Sequence, residues 1–231
     1  MAYRSRSVRA LTATVGLLLL GSTATAQAAT GPTAARGVSA TAISDWAGYA
    51  AHSTTYTSVT ATWAEPALSC GSANSTVAFW VGLDGYSDDT VEQVGTEADC
   101  VGGTAAQYAW YEVYPAAAVD VAKTVAVGDV MTATVTATAA DSFTLTVKNA
   151  TRGWTFTTTK VAAGAARSSA EVVLQAPSAA GAKAGTVSFS DARVNGGTLA
   201  ASDPTGINIG TGAGPHCGAI STAGTAFTCT W

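Results

Sequence analysis

Three consecutive segments of this chain alternate apolar and polar residues, and they constrain its fold more than any other feature. The segments are Val130–Thr138, Ser142–Lys148 and Trp154–Thr159, separated by turn residues around Asp141 and at Asn149–Gly153. Alternation with a period of two is typical of strands that bury one face, and β-branched residues are favoured in such strands. The pattern therefore predicts an antiparallel meander of three strands.

Further short segments have the same strand-like character, and no segment has the 3.6-residue period of an amphipathic helix. These segments are Val59–Trp63, Phe79–Val81, Val91–Val94, Gln107–Pro115, Ser169–Gln175 and Thr186–Ser190. Many short strands separated by turn residues predict an all-β fold. We expect an antiparallel β-sandwich of two sheets, of the concanavalin-like or jelly-roll-like kind, without a repeat or a second domain.

The first 28 residues have the three parts of a secretory signal peptide. The basic residues, the apolar run and the small-x-small cleavage signal are Arg4, Arg6, Arg9, Leu11–Leu20 and Ala26–Ala28. We expect secretion, with 29–44 as a linker or short pro-segment and 45–231 as the β-sandwich domain. The chain has no other apolar run of the length that crosses a membrane, so we expect no membrane association.

The charge of the chain bears on its partners. Three of its 11 Lys and Arg lie within residues 1–28, so 8 basic residues remain against 15 Asp and Glu. This balance offers no basic patch and argues against nucleic acid as a partner. An acidic medium would neutralise many carboxylates and weaken their mutual repulsion.

The four cysteines are Cys70, Cys100, Cys217 and Cys229. An even number in a secreted chain predicts two disulfides, for which three connectivities are possible. The most local connectivity pairs Cys70 with Cys100 and Cys217 with Cys229. A zinc site is not expected, because no Cys-x-x-Cys pair occurs and the chain has only two histidines.

Acidic residues crowd the stretch Phe79–Gly95 and the positions just after it. They are Asp84, Asp88, Asp89, Glu92, Glu97 and Asp99, with no Lys or Arg among them. Composition favours a solvated hairpin tip at the Asp84-Gly85 turn. The density of acids beside Trp80 favours a functional site.

The patterns of several hydrolase classes are missing from this sequence. It contains no G-x-S-x-G nucleophile elbow and no H-E-x-x-H zinc motif, and its cysteines are assigned to disulfides. His52 and His216 lie in polar surroundings, which predicts that both are surface residues. If the chain is a hydrolase, its side-chain carboxyl and amide groups remain as the candidates for catalysis.

Two polar residues within predicted strands are candidates for that chemistry. Glu171 interrupts a β-branched run, and alternation places it on the face opposite Val172, away from the core. Gln93 has a similar place in its strand. Each is open to an ordinary interpretation as a solvent-facing strand residue. Trp110 and Glu112 share one face of the strand that follows.

Five sequence blocks give these candidates a context. WVGLDG, TVEQVG, YAWYEVYP, SAEVVLQAP and GTVSFSDA occur in the order found in the glutamic peptidases, the acid-acting endopeptidases also called eqolisins. Together with DWAGYA, which resembles that family's first strand, they cover Asp45–Ala192. The resemblance implies a two-sheet sandwich, a polypeptide substrate and no metal or organic cofactor; we expect a monomer.

The resemblance also implies roles for individual residues. The family's catalytic Gln and Glu match Gln93 and Glu171. Side chains that line or support the cleft match Trp80, Asp84, Trp110 and Glu112. The sequence departs from the family at three positions, where Val172 replaces a common Trp, Gln175 replaces a Glu, and Tyr108 replaces a common Asp.

Two other interpretations remain open. A glycoside hydrolase on a similar sandwich would use two carboxylates, such as Glu112 and Glu171. A non-catalytic module would bind carbohydrate or peptide on a platform of Trp80 and Trp110. Gln93 separates these interpretations, because only the peptidase needs it.

Overall fold

The computed structural model describes residues 45–177, 181–209 and 214–231. The predicted signal peptide and the predicted linker lie outside the described residues. In the described part, the chain forms β-strands and one 3-10 helix at Leu199–Ser202, and no helix there is long and apolar enough to cross a membrane.

The strands follow one another with short connections. In chain order they are β1 (Trp46–Ala51), β2 (Ser58–Ala64), β3 (Ser75–Leu83), β4 (Val91–Val101), β5 (Thr104–Tyr114), β6 (Val119–Val121), β7 (Val130–Ala139), β8 (Ser142–Asn149), β9 (Trp154–Val161), β10 (Ala170–Gln175), β11 (Thr186–Val194), β12 (Gly197–Thr198), β13 (Thr205–Ile207), β14 (His216–Cys217) and β15 (Phe227–Thr230).

These strands form two antiparallel sheets, which confirms the predicted β-sandwich. The front sheet has the order β13-β1-β10-β3-β4-β5-β6. The back sheet has the order β14-β15-β11-β2-β7-β8-β9, with β12 paired to β11. The predicted meander is confirmed as the neighbouring strands β7, β8 and β9.

The space between the sheets holds the main hydrophobic core. Its largest fully buried side chains include Trp63, Phe79, Phe143, Leu145 and Phe189. On the other side of the back sheet the alternation leaves hydroxyl groups, which pair across strands, as in the 2.8 Å contact between Thr60 Oγ1 and Thr134 Oγ1. The back sheet is therefore apolar on one face and polar on the other.

The front sheet is apolar on both faces. Residues that alternate with the core residues form a second buried cluster on its outer face, comprising Trp46, Ala50, Ala78, Trp80, Val91, Trp110, Val173 and Ile207. We call this set the outer cluster. Such two-sided burial explains why β3, β4 and β10 are buried along most of their length instead of at every second residue.

The pairing of β10 and the length of β4 determine which residues of the front sheet lie next to one another. Strand β10 pairs with β1 on one side and with β3 on the other, although more than eighty residues separate it from β3 in the chain. Strand β4 continues through Gly95 to Val101, well beyond the predicted segment Val91–Val94.

Both disulfides have the local pairing. Cys70 is bonded to Cys100 and Cys217 to Cys229. The first joins the segment before β3 to the end of β4, and the second joins β14 to β15. The structure thereby selects one of the three connectivities that the sequence allowed.

Candidate active site

A row of paired residues crosses the outer face of the front sheet and contains both predicted catalytic residues. In strand order the row consists of Ala50, Glu171, Gly82, Gln93 and Glu112. Neighbouring strands lie about 4.8 Å apart, so the Cα atoms of Glu171 and Gln93 are separated by roughly 10 Å. Two long side chains span that distance when nothing stands between them.

Gly82 leaves that space open. A Cβ atom at this position would lie 2.9 Å from Cζ3 of Trp80 and 3.4 Å from Cβ of Gln93. Any larger residue would project between the carboxyl group of Glu171 and the amide of Gln93. The glycine of the WVGLDG block is therefore explained by the space that it leaves at this site.

The next row holds two tryptophans of the outer cluster. Trp80 and Trp110 are paired with Gly95 from either side, and Trp110 is paired in turn with Asp120. A Cβ at Gly95 would lie 2.1 Å from the carbonyl oxygen of Phe79, so only glycine fits there. Trp80 is fully buried and Trp110 is 2% exposed.

Gln93 is held by its neighbour in the row. Its Nε2 donates a hydrogen bond to Oε2 of Glu112 at 2.5 Å, and both side chains are fully buried. Among the described residues its Oε1 has no hydrogen-bond partner. The bond to Glu112 occupies one of the two amide hydrogens and leaves the other available.

Glu171 points away from the core, as predicted, yet it is fully buried. Burial raises the pKa of its carboxyl group well above the usual value, and the nearby carboxyls of Asp84, Asp88 and Glu92 raise it further. The Ser169 hydroxyl acts in the opposite direction and lowers this pKa. The ordinary interpretation as a solvent-facing strand acid is wrong, because the outer cluster buries this face too.

Asp84 fixes the segment that leads into β10. Its φ of 66° lies in the left-handed region, and its carboxylate accepts hydrogen bonds from the backbone N–H groups of Arg167 at 2.8 Å and Ser168 at 2.6 Å. The Ser168 hydroxyl donates to Asp88, and Tyr86 N–H donates to the Ser169 hydroxyl at 3.3 Å. Asp84 thereby positions the strand that carries the catalytic candidate.

The interpretation of the acidic stretch as a solvated tip was wrong for four of its residues. Asp84, Glu92, Glu97 and Asp99 are buried. Burial, followed by the charge of Asp84, raises the pKa of Glu92 to about 9. The Tyr108 hydroxyl lies 2.7 Å from Glu97 Oε1 and 2.9 Å from Asp99 Oδ2, so this departure from the family joins two acids.

Another departure from the family anchors Trp80. Its Nε1 donates a hydrogen bond to Oε1 of Gln175 at 3.2 Å, and Gln175 Nε2 donates to Asp45 Oδ2 at 3.1 Å. Trp46 packs edge-on against Trp80, with ring centroids 4.8 Å apart. Val172, the third departure, points into the main core.

The structure reveals one buried acid that sequence reasoning passed over. Glu65 lies just after the predicted strand Val59–Trp63 and was not among the candidates, but it is 1% exposed within the sandwich. Its Oε2 accepts hydrogen bonds from Thr96 Oγ1 at 2.6 Å and Trp63 Nε1 at 3.4 Å. Burial raises its pKa to about 7. Its position next to an alternating strand was the available signal.

Both histidines are exposed, as predicted. His52 stacks on Tyr86 with ring centroids 4.4 Å apart, and its Nε2 lies 2.9 Å from Thr205 Oγ1. Neither histidine belongs to the row that contains Glu171 and Gln93.

Comparison with known proteins places this arrangement in a family. Residues 44–231 match the model described as the Peptidase A4 family. Aspergillopepsin-2 of Aspergillus niger is 33% identical over 137 residues, and the match covers 50% of this chain and 49% of that protein. The chain therefore matches about half the length of this curated relative.

Two solved structures share the fold. A crystal structure of scytalido-glutamic peptidase with a transition state analog inhibitor has a TM-score of 0.70 at 24% identity, covering 81% of this chain and 98% of that one. Aspergilloglutamic peptidase from Aspergillus niger has a TM-score of 0.57 at 29% identity, covering 68% and 98%. With the family match over residues 44–231, these findings show that the chain belongs to the Peptidase A4 family, the eqolisins or glutamic peptidases.

Proposed function

We propose that this protein is a secreted acid endopeptidase in which Glu171 and Gln93 hydrolyse peptide bonds of a polypeptide substrate. The observation that carries the proposal is the row across the front sheet, in which these residues flank a glycine. Family membership supports the reaction class. Trp80, Asp84, Trp110 and Glu112 support or line this site.

Glu171 is the general base and then the general acid. Its ionised carboxylate removes a proton from a water molecule as the water oxygen attacks the scissile carbonyl carbon. The same proton then passes to the nitrogen of the departing amine as the carbon–nitrogen bond breaks. The amine is a good leaving group only after it has been protonated, so the proton taken from water is returned at this step.

Gln93 stabilises the charge that develops on the carbonyl oxygen. Its free amide hydrogen is the donor for this oxyanion, while its other hydrogen stays bonded to Glu112. A comparable amide donor contributes roughly 3–4 kcal/mol to transition-state stabilisation. No step in this scheme needs a metal ion or an organic cofactor.

The experiment is digestion of an unfolded protein by the purified protein between about pH 2 and pH 7. The wild type is compared with Glu171→Gln, Gln93→Ala and Glu65→Gln. The last is a matched control, because it makes the same chemical change at a buried carboxyl inside the core. We expect wild type and Glu65→Gln to release peptides at acid pH.

Each variant has an outcome that contradicts the proposal. Turnover by folded Glu171→Gln above a tenth of wild type removes Glu171 from its role. A Gln93→Ala effect confined to KM contradicts an oxyanion role, since lost transition-state stabilisation lowers kcat. Hydrolysis of a glycoside that survives in Gln93→Glu, without release of peptides by the wild type, would instead favour the two-carboxylate glycoside hydrolase, and binding without any turnover would favour the binding module.

The same proposal includes export by residues 1–28 and a single peptidase domain at 45–231. The disulfides Cys70–Cys100 and Cys217–Cys229 are consistent with an extracellular environment. N-terminal sequencing of protein from the culture medium tests the export. A first residue at Ala29 agrees with signal cleavage alone, and one near Asp45 shows that 29–44 is a removed pro-segment.

A further inference from the structure

The indole N–H group of Trp110 is buried without a hydrogen-bond partner. The side chain is 2% exposed, and no described residue accepts a hydrogen bond from its Nε1. A buried donor in this state has lost its hydration without compensation. Such groups are rare in native proteins, and each one needs an explanation.

Trp80 shows that the outer cluster can satisfy an indole. The two tryptophans lie in the same row, separated by Gly95. The Nε1 of Trp80 has Gln175 as its acceptor, and Gln175 is held in turn by Asp45. Among the described residues, the front sheet thus provides a hydrogen-bond acceptor for the indole of Trp80 and none for the indole of Trp110.

The open donor lies next to the catalytic row. Trp110 precedes Glu112 by two residues on the same face of β5, and its partner Gly95 follows Gln93 by two residues on β4. The two rows are separated by roughly 7 Å, which is the repeat of an extended backbone. Gln93 Oε1 is also without a partner among the described residues. A donor and an acceptor at this spacing suit the peptide groups of an extended chain.

We infer that Trp110 Nε1 donates a hydrogen bond to a main-chain carbonyl oxygen of the bound polypeptide, beside the bond on which Gln93 and Glu171 act. This inference rests on the proposed function and adds a substrate-binding atom to it. Trp110 recognises a peptide group and Trp80 holds the wall of the cleft. Because every residue of a substrate offers a carbonyl oxygen, this contact adds affinity without selecting a side chain.

The decisive variant replaces Trp110 by benzothienylalanine, which keeps the bicyclic ring and exchanges the N–H for sulfur. We expect kcat/KM for an unfolded polypeptide to fall about 3- to 10-fold, the effect of one lost hydrogen bond. The melting temperature of the free protein should stay within about 2 °C of wild type, because the N–H has no partner to lose.

Trp110→Phe removes the same N–H group without a non-natural amino acid. Two other tryptophan-to-phenylalanine variants serve as its matched controls. Trp80→Phe strands the Gln175 acceptor, so its melting temperature should lie roughly 3–8 °C below that of Trp110→Phe. Trp46→Phe removes another unpartnered, fully buried N–H that lies two rows from Glu171. We expect it to keep kcat/KM within about twofold of wild type.

The results separate this inference from the proposed function. Unchanged kcat/KM in the benzothienylalanine protein, or an equal loss in Trp46→Phe, overturns the inference while hydrolysis by wild type upholds the function. If the wild type binds a reduced and alkylated unfolded protein without cleaving it, calorimetric titration compares the affinity of the wild type and of the benzothienylalanine protein for that ligand. A 3- to 10-fold weaker affinity after loss of the N–H then upholds the inference alone, and no binding by wild type overturns both.

Discussion

Replacing Glu65 by glutamine should make the protein less sensitive to neutral pH. The Glu65 carboxyl is buried between the sheets and receives hydrogen bonds from Thr96 and Trp63. Burial raises its pKa from 4.5 to about 7 in the folded state. The folded protein therefore binds a proton there that the unfolded chain has already released above pH 4.5.

The magnitude follows from the linkage between proton binding and folding. A raised folded-state pKa gives stability that is fully present below pH 4.5 and is lost as the pH rises through about 7. At 1.36 kcal/mol for each pKa unit, the loss at this one residue is about 3 kcal/mol. Glutamine has the shape of the protonated acid and does not ionise, so Glu65→Gln should escape that loss.

The measurement is urea unfolding of both proteins at intervals from pH 3 to pH 8. We expect the free energy of unfolding of the variant, relative to wild type, to rise by about 3 kcal/mol between pH 4.5 and 7 and to stay constant outside that window. Other buried acids, such as Glu92 and Glu171, are common to both proteins and cancel in the difference.

Asp129→Asn is the matched control. Burial raises the pKa of Asp129, but hydrogen bonds from Asn149 and Arg152 outweigh it and leave the pKa lowered. The contribution of Asp129 itself is therefore lost only in acid. Its charge is the smallest of the causes that act on the pKa of Glu65, so this variant should change far less than Glu65→Gln between pH 4.5 and 7. A Glu65→Gln difference that varied by less than about 1 kcal/mol across the window would refute the reasoning.

Three further predictions concern the site and its frame. Gly82→Ala should lower kcat/KM at least about tenfold, because its Cβ would project between the side chains of Glu171 and Gln93; unchanged kinetics would show that the space is not needed. Glu112→Gln should lower kcat more than it raises KM, because it replaces one carboxyl oxygen by an NH2 group that cannot accept the hydrogen bond from Gln93; a change in KM alone would contradict this positioning role. Removing the Cys70–Cys100 disulfide by double substitution to serine should lower the free energy of unfolding by about 3–4 kcal/mol in urea, and a loss below about 1 kcal/mol would show that the loop is already constrained.

Alternation along single strands was enough to predict much of this fold. It placed Trp110 and Glu112 on one face and Glu171 away from the core, and both placements are confirmed. These are local properties, because the direction of a side chain along a strand follows from its position in the chain. The β-branched composition and the turn residues predicted the class of fold for the same reason.

Burial on the outer face could not be predicted in this way. Whether an outward residue meets water depends on what other strands bring to the same face, and the outer cluster is assembled from β1, β3, β4, β5, β10 and β13. Glu65 was passed over for a similar reason, since Thr96 and Trp63 reach it from different sheets. The meeting of Glu171 and Gln93 depends on pairing between distant segments, which no local pattern encodes.

The place of β10 between β1 and β3 has a consequence for biosynthesis. Chains are made from the N-terminus, and a nascent chain that ends at Val161 already contains Gln93, Gly82 and the strands that carry them. It lacks the strand that must insert between two earlier ones, and with it Glu171. The proposed proteolytic activity therefore cannot arise before β10 has been made, and a truncated product that ends before β10 lacks the proposed catalytic acid.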